Sequence, residues 1–304
     1  MKNLMRLFVA KSAPQNDGEK THTVFMKERT MKLVEESKKI KLDPRSKYLR
    51  QLVLQGLQGA CKGHIGSALS FIEIVRVLYD HIMRYRVEDP LWVERDRFIL
   101  SKGHGCLGLY AVLADKGFFP TDELKTYTLK GSRLGGCCEI IAPGIEATTG
   151  ALGHGLSVGI GMAMGASMRG RSNKVYVLLG DGEMGEGSVW EAALCASKYK
   201  LSNLITIIDY NKVQLAGFTQ DISCLESLTD KWRSFGFEPI EVNGHDVNRL
   251  RGIFERSFEK PTVVICHTVK GKGISFAEDS AQWHWKSKID DELVNQMSSA
   301  LEEY

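Results

Sequence analysis

The run VYVLLGDGEMGEGSVWEAALCASKYKLSNLITIIDYN, Val175 to Asn211, decides the fold. It opens on an unbroken apolar stretch, Val175 to Leu179, closed by turn residues, which reads as a strand buried on both faces. Gly180-Asp181-Gly182 makes a turn, Ser188 to Tyr199 reads as a helix, and Leu204 to Ile208 as a second buried strand. A strand–helix–strand unit of this length implies parallel neighbours joined by a crossover. Outward from it, Arg97 to Leu100 is a short apolar strand. Thr262 to Val269 is another, after a helix from Asn248 to Phe258. Helices are expected at Arg45–Ala60, where Leu49, Leu52, Val53 and Leu57 recur at helical spacing. Further helices are expected at Ser70–Met83, from Gly103-His104-Gly105 through Leu113, and at Thr121–Lys130 and Gly150–Arg169. The expected fold is α/β, a doubly wound parallel sheet flanked by helices. It forms one domain over residues 45–304. Residues 1–44 read as a polar N-terminal arm (Asn3 to Lys20) and an exposed helix (Val24 to Lys41) able to lie on a partner.

With 304 residues, 43% of them hydrophobic, the chain can bury a sizeable core. Its formal charge of +3 comes without a basic block or acidic tail. No nucleic-acid partner is expected. Seven cysteines at Cys61, Cys106, Cys137, Cys138, Cys195, Cys224 and Cys266 include no CxxC pair, so neither a zinc site nor a disulfide framework is suggested. Reduced thiols of a cytosolic protein are the simplest reading. Arg6 interrupts the apolar residues of Met1 to Ala10, leaving less than a signal-peptide core. No stretch approaches the roughly 18 apolar residues of a membrane span. The expectation is a soluble, cytoplasmic protein.

Ligands of a doubly wound sheet sit beyond the C-terminal ends of its strands. Asp181 and Asn211 close two such strands, thirty positions apart, and can share one edge. A carboxylate and an amide oxygen suit a hard cation such as Mg²⁺, which takes its remaining oxygens from phosphates and water. The glycines flanking Asp181 let backbone N–H groups approach a phosphate, and the following helix offers its positive end. The residues also allow a plainer reading, in which Gly180 to Gly182 is only a tight turn and Asp181 caps the helix. Gly103-His104-Gly105-Cys106-Leu107-Gly108 fits G-x-G-x-x-G, but Glu123, at the distance where a dinucleotide site needs its acid, lies in a polar helical stretch. No P-loop pattern occurs. Lys270 and Lys272, on either side of Gly271, either steer anions or belong to an ordinary solvated loop. His245, in NGHD, reads as a loop residue before a helix capped by Asp246 or Asn248. His22, His81, His154 and His267 read as structural or surface residues.

The stretch Gly180 to Gly217 resembles the thiamine diphosphate motif: GDG, about thirty residues, then an asparagine. Its details resemble transketolases, above all those split into two chains. The resemblance extends through KGHIGSALS (Lys62 to Ser70), DRFILSKGHGCLGLYAVL (Asp96 to Leu113), PGIEATTGALGHGLSVGIGMA (Pro143 to Ala163) and HTVKGKGISF (His267 to Phe276). It implies a diphosphate-binding (PP-type) domain that binds thiamine diphosphate through Mg²⁺, with Ca²⁺ or Mn²⁺ as substitutes. Asp181, Asn211 and the Val213 carbonyl would hold the cation. Gly182 N–H and His104 would contact the diphosphate. Gly150, Ala151, Leu152 and Leu215 would line the cofactor channel, with Glu186 beside it where the partner chain meets this one. His64 would face the hydroxyl end of the substrate, and His284 the diphosphate and substrate, although Trp285 and Lys286 depart from the usual surroundings. His64, His104 and His284 are thus the expected catalytic residues.

Two departures shape the functional expectation. Nothing matches the family's pyrimidine-binding and C-terminal domains, the former of which supplies a glutamate to the cofactor. A partner chain carrying both is therefore expected, in an α2β2 heterotetramer. The expected activity is transfer of a two-carbon ketol (glycolaldehyde) unit from a ketose donor to an aldose acceptor. After Gly135-Gly136 the family places a His-Pro pair; here Cys137-Cys138-Glu139 follow. A thiol is a weaker hydrogen-bond partner than an imidazole and carries no positive charge. The departure leaves a second expectation open, transfer of a hydroxyacetyl unit to an acyl carrier protein or lipoyl thiol. A non-catalytic scaffold would have no use for a full cation and diphosphate set.

Overall fold

The computed structural model describes residue 28, residues 30–215 and residues 217–304. The arm of residues 3–20, the start of the first expected helix and His22 lie outside these. Five strands form one parallel sheet in the order β1-β2-β3-β5-β4. They are β1 (Arg97–Leu100), β2 (Val175–Gly180), β3 (Leu204–Tyr210), β4 (Glu238–Asn243) and β5 (Thr262–His267). The helices are α1 (residues 30–39), α2 (Pro44–Ala60), α3 (Ile65–Leu69), α4 (Ile72–Val77), α5 (Cys106–Asp115) and α6 (Gly155–Met168). After them come α7 (Gly187–Lys198), α8 (Thr219–Ile222), α9 (Leu228–Ser234), α10 (Val247–Phe254) and α11 (Asp291–Glu303).

Successive strand side chains point to opposite faces, and each face is roofed separately. Phe98, Leu100, Tyr176, Leu178, Ile205, Ile207 and Val264 pack beneath α2, α4, α5, α10 and α11. Ile99, Val175, Val177, Leu179, Leu204, Ile208 and Val263 pack beneath α6, α7 and α9. This is the doubly wound arrangement expected from the sequence. Its apolar strands are unbroken because both faces are covered. Among the described residues no helix is long and apolar enough to cross a membrane.

Local chemistry sets the helix ends. Asp43 caps α2 by accepting from Ser46 N at 2.7 Å, and Pro44 follows at the first helical position. Asp246 caps α10 by accepting from Arg249 N at 3.0 Å. The inner face of α1 packs on the domain: Leu33 and Ser37 are buried, and the Lys272 ammonium donates to the carbonyls of Ser37 (2.9 Å) and Lys38 (3.0 Å). That ammonium satisfies carbonyls that a helix end leaves unpaired.

The elements differ from expectation in several places. The helix expected over Ser70–Met83 is broken: α3 begins earlier, α4 starts at Ile72, and a π-helical turn Leu78–Ile82 follows. Thr121–Thr126 is a short 3₁₀ turn, and α6 begins at Gly155, which leaves Gly150 to Leu152 in a loop. β4, α9 and α11 were not anticipated. β4 carries Glu238, Pro239 and Glu241, which mask its period-two signal; proline is tolerated because the strand lies at the sheet edge.

Candidate active site

The strands deliver their C-terminal ends to one edge. Gly180, Asp209 and Cys266 are level in the register, so Asp181, Asn211 and Thr268 leave adjacent strands together. Asp181 is buried. Its carboxylate accepts from Gly182 N at 2.7 Å and from Lys212 N at 2.5 Å. The first bond caps the 3₁₀ turn Gly182–Gly185, so Asp181 is a cap as well as a strand-end carboxylate. Burial, and then the charge of Asp209, push the Asp181 carboxyl up to about 6. A cation beside it would favour the ionised form.

Asn211 donates through Nδ2 to Asp209 at 3.0 Å and accepts through Oδ1 from Val213 N at 3.1 Å. The Val213 carbonyl accepts from the Lys270 ammonium at 2.6 Å. Carboxylate, amide oxygen and carbonyl form a hard-oxygen set that fits Mg²⁺. The ammonium resting on the carbonyl shows that this oxygen faces a position suited to positive charge.

Lys270 and Lys272 do not belong to a solvated loop. They are 2% and 0% exposed. Burial lowers Lys270 to about 8, which leaves it cationic at neutral pH. Lys270 also donates to Nδ1 of His284 at 2.9 Å. Gly271 separates the two lysines in the sequence, and a distant glycine, Gly66, supplies the room for Lys270. A Cβ on Gly66 would lie 2.9 Å from the lysine's Cγ.

The three expected histidines come together. Ring centroids are 5.1 Å apart for His64 and His104, 5.4 Å for His64 and His284, and 5.3 Å for His104 and His284. Burial first, then neighbouring lysine charge, lowers His64 to about 4, His104 to about 2 and His284 to about 3. All three are therefore neutral imidazoles near pH 7, each with one donor and one acceptor nitrogen. Nδ1 of His64 is buried without a hydrogen-bond partner among the described residues. A buried polar atom of this kind is one that a ligand can satisfy. Trp285 packs on His64 with centroids 4.5 Å apart, and Gly63 and Lys286 exchange backbone hydrogen bonds at 3.0 Å. The residues that depart from the family's usual surroundings thus clamp His284 onto the His64 loop.

Gly150 and Ala151 are exposed on a loop anchored at both ends. The Thr149 hydroxyl donates to the Leu100 carbonyl at 2.8 Å, and Gly153 N donates to the buried Glu183 carboxylate at 2.6 Å. Glu183 also accepts from Gly180 N at 3.2 Å and from the Ser101 hydroxyl, which ties the loop to the ends of β1 and β2. Glu186 is exposed beside Gly153, whose φ is +82° and where an added Cβ would lie 2.7 Å from the glutamate Cβ. Leu215 is 70% exposed. Cys137 reaches the same loop: its Sγ lies 3.7 Å from where a Cβ on Gly150 would be. Burial, and then Glu139, hold its thiol above the usual range, so it is protonated.

Sequence reasoning missed Lys102, Asp209, Glu183 and the buried trio Arg50, Glu73 and His245. Each is a charged or titratable side chain that is nearly or fully buried. Lys102 precedes Gly103, and Asp209 interrupts the apolar end of β3; both were signals of polar partners inside. His245 is no ordinary loop residue. Its Nδ1–H donates to Glu73 at 2.7 Å and its Nε2 accepts from Val269 N at 2.9 Å.

Known proteins share this sequence pattern and fold. The model of the transketolase thiamine diphosphate binding domain matches residues 44–302. One chain of a Phocaeicola vulgatus enzyme, an apulose-4-phosphate transketolase composed of subunits, is 43% identical over 267 residues, covering 86% of this chain and 95% of that one. The 6-deoxy-6-sulfo-D-fructose transketolase subunit SqwG of a Clostridium species is 40% identical, covering 86% of this chain and 97% of that one. Human transketolase is 38% identical over 84% of this chain, which spans only 41% of the human one. The solved transketolase of Campylobacter jejuni superposes with a TM-score of 0.78 and 29% identity over 84% of this chain and 42% of that one. That of Leishmania mexicana gives 0.74 and 31% over 85% of this chain and 44% of that one.

Proposed function

The chain belongs to the transketolase family, as its thiamine diphosphate-binding part, and from that premise we propose that it is one subunit of a two-chain transketolase. The observation that carries the reading is the buried Asp181 carboxylate beside the Asn211 amide and Val213 carbonyl, with three neutral histidines gathered nearby. Asp181, Asn211 and the Val213 carbonyl would hold Mg²⁺. Gly182 N–H, His104 and Lys270 would hold the diphosphate, and Gly150, Ala151, Leu152 and Leu215 would line the channel. When bound, thiamine diphosphate supplies the nucleophilic carbon and the electron sink for cleaving a C–C bond.

The protein's own part is orientation and proton handling. A neutral imidazole can donate from one nitrogen and accept at the other, so His64, His104 and His284 can hold substrate hydroxyls and move protons at them. Their low affinity for protons keeps that capacity through neutral pH. The protonated Cys137 thiol beside Gly150 offers only a weak hydrogen bond where the family has an imidazole. A ketose whose carbon frame differs from the common sugar phosphates suits such a site. The names of the two-chain relatives, which specify apulose-4-phosphate and a sulfofructose, support a changed ketose over a carrier-protein acceptor.

The matched region covers about two-fifths of the single-chain relatives. A complementary chain with the pyrimidine-binding and C-terminal regions would complete the site, in an α2β2 assembly, in the cytoplasm. The exposed Glu186 and Leu215 lie where that chain would meet the cofactor. The test is to purify the protein with and without such a partner, then follow two-carbon transfer from ketose donors to an aldose. Turnover that needs both chains supports the proposal; turnover by this chain alone contradicts it.

A further inference from the structure

Asp209 sits at the end of β3, fully buried, and gathers four donors from four segments. Its Oδ1 accepts from the Thr268 hydroxyl. Its Oδ2 accepts from the Ser70 hydroxyl at 2.6 Å, from Asn211 Nδ2 at 3.0 Å and from the Lys102 ammonium. Lys102 is fixed in turn, donating to the Ser67 carbonyl at 3.0 Å and lying 4.4 Å from the centroid of the Phe71 ring. Ser70 stands at the break between α3 and α4. The carboxylate therefore joins the His64-bearing helix pair to the ends of β1, β3 and β5.

The consequence falls on Asn211. An ionised carboxylate only accepts, and a backbone N–H only donates. Asn211 has Asp209 on one side of its amide and Val213 N on the other. Both neighbours demand the same orientation, nitrogen toward Asp209 and oxygen toward the Val213 loop. A flipped amide would set oxygen against oxygen and N–H against N–H. We propose that Asp209 is a positioning residue that locks the Asn211 amide with its oxygen turned to the cation position. Asp209 touches neither metal nor substrate in this role. Outer partners of metal ligands act in this way generally, and their loss weakens metal affinity by about 10- to 100-fold.

This inference rests on the reading of Asp181, Asn211 and Val213 as the cation site. The test uses the full chain with its complementary partner and thiamine diphosphate, titrated with Mn²⁺ and followed by the electron paramagnetic resonance of free Mn²⁺. Asp209→Asn is expected to weaken Mn²⁺ binding by about 10- to 100-fold. Combining Asp209→Asn with Asn211→Asp restores an oxygen in either orientation of residue 211. That pair is expected to recover affinity to within about tenfold of the unaltered protein. Ser70→Ala removes one donor from Asp209 without touching the amide and is expected to leave Mn²⁺ affinity unchanged. An Asp209→Asn protein that binds Mn²⁺ normally overturns the inference. If that variant does not fold, the paired exchange decides: normal affinity supports the inference and lost affinity overturns it. Asp181→Ala separates the two levels. If Asp181→Ala abolishes Mn²⁺ binding and Asp209→Asn does not alter it, only the positioning role fails. If Asp181→Ala is also without effect, the cation-site reading fails, and the positioning role with it.

Discussion

Replacing Glu73 by glutamine would keep the side chain's shape and remove its charge from a wholly buried cluster. Glu73 accepts from Arg50 Nη1 at 2.6 Å, from Arg50 Nη2 at 3.0 Å and from His245 Nδ1 at 2.7 Å. Arg50, Glu73 and His245 are each at most 3% exposed. The paired arginine, first among the attractive charges, holds the Glu73 carboxyl well below the usual range despite burial. In Glu73→Gln the guanidinium would keep only the carbonyls of Ser46 (3.2 Å), Leu69 (3.0 Å) and Lys272 (2.7 Å), with one weaker bond donated to the new amide oxygen. Breaking a buried pair on one side costs about 3–5 kcal/mol, and the retained amide bond places this case near 3 kcal/mol. Against a total of about 5–15 kcal/mol for a folded domain, that is a large share. Urea unfolding at pH 7 measures it as a shift in midpoint with an unchanged slope. Changing Arg50→Met and Glu73→Leu together leaves no unpaired charge and is expected to cost much less. The cluster also grips both flanks of Lys270, through Val269 N and the Lys272 carbonyl. Amide exchange at Val269 should therefore quicken in Glu73→Gln. A loss below about 1 kcal/mol, with unaltered exchange at Val269, would refute this role for the cluster.

Lys270→Met should weaken thiamine diphosphate binding by about tenfold or more, through loss of charge-assisted hydrogen bonds, as read by calorimetry. Cys137→His should raise kcat/KM for common ketose phosphates relative to the native donor by about tenfold, the worth of one good hydrogen bond to a substrate hydroxyl. His245 and His267 are buried and lowered below the ordinary 6.5, as are His64, His104 and His284. At these five histidines the unfolded chain therefore binds more protons than the folded one below that value, and they outnumber the raised carboxyls of Asp181 and Glu146, which work the other way. Stability should be full above pH 6.5 and fall steadily as pH drops below it, which urea midpoints measured from pH 8 to 5 would show. Equal midpoints at pH 7 and 5 would contradict the neutral burial of these imidazoles.

Much of the fold was legible because the sheet is covered on both faces. Val175 to Leu179 and Leu204 to Ile208 are apolar at nearly every position, since alternate side chains enter different cores. β4 was not legible because its polar residues serve partners distant in sequence: Glu241 accepts from His267 at 3.0 Å and from Thr30 at 2.8 Å. The break between α3 and α4 was hidden for a similar reason. Ser70 sits in an apolar run, and its hydroxyl is occupied by Asp209 from a strand end far along the chain. By contrast α11, with Val294, Met297 and Leu301 on one face and Asp290 as its cap, carries a helical pattern that its sequence does display. His64 and His104 were singled out from glycine-flanked loops and the family resemblance, His284 from the resemblance alone. The lysines and carboxylates that hold those loops were not, because a buried charge is recognised by its partner, and the partners come together only in the folded chain.

Cofactor binding depends, in the proposed site, on strand-end oxygens of β2 and β3 taking a divalent cation that secures the diphosphate. Calorimetric titration of thiamine diphosphate into the assembled protein, with and without Mg²⁺, measures this directly for the native chain and for Asp181→Ala. The expected result is tight, Mg²⁺-dependent binding in the native protein and a loss of more than about 100-fold in the variant, beyond the range of outer-partner losses. Binding indifferent to Mg²⁺, or equal in the two proteins, would contradict it.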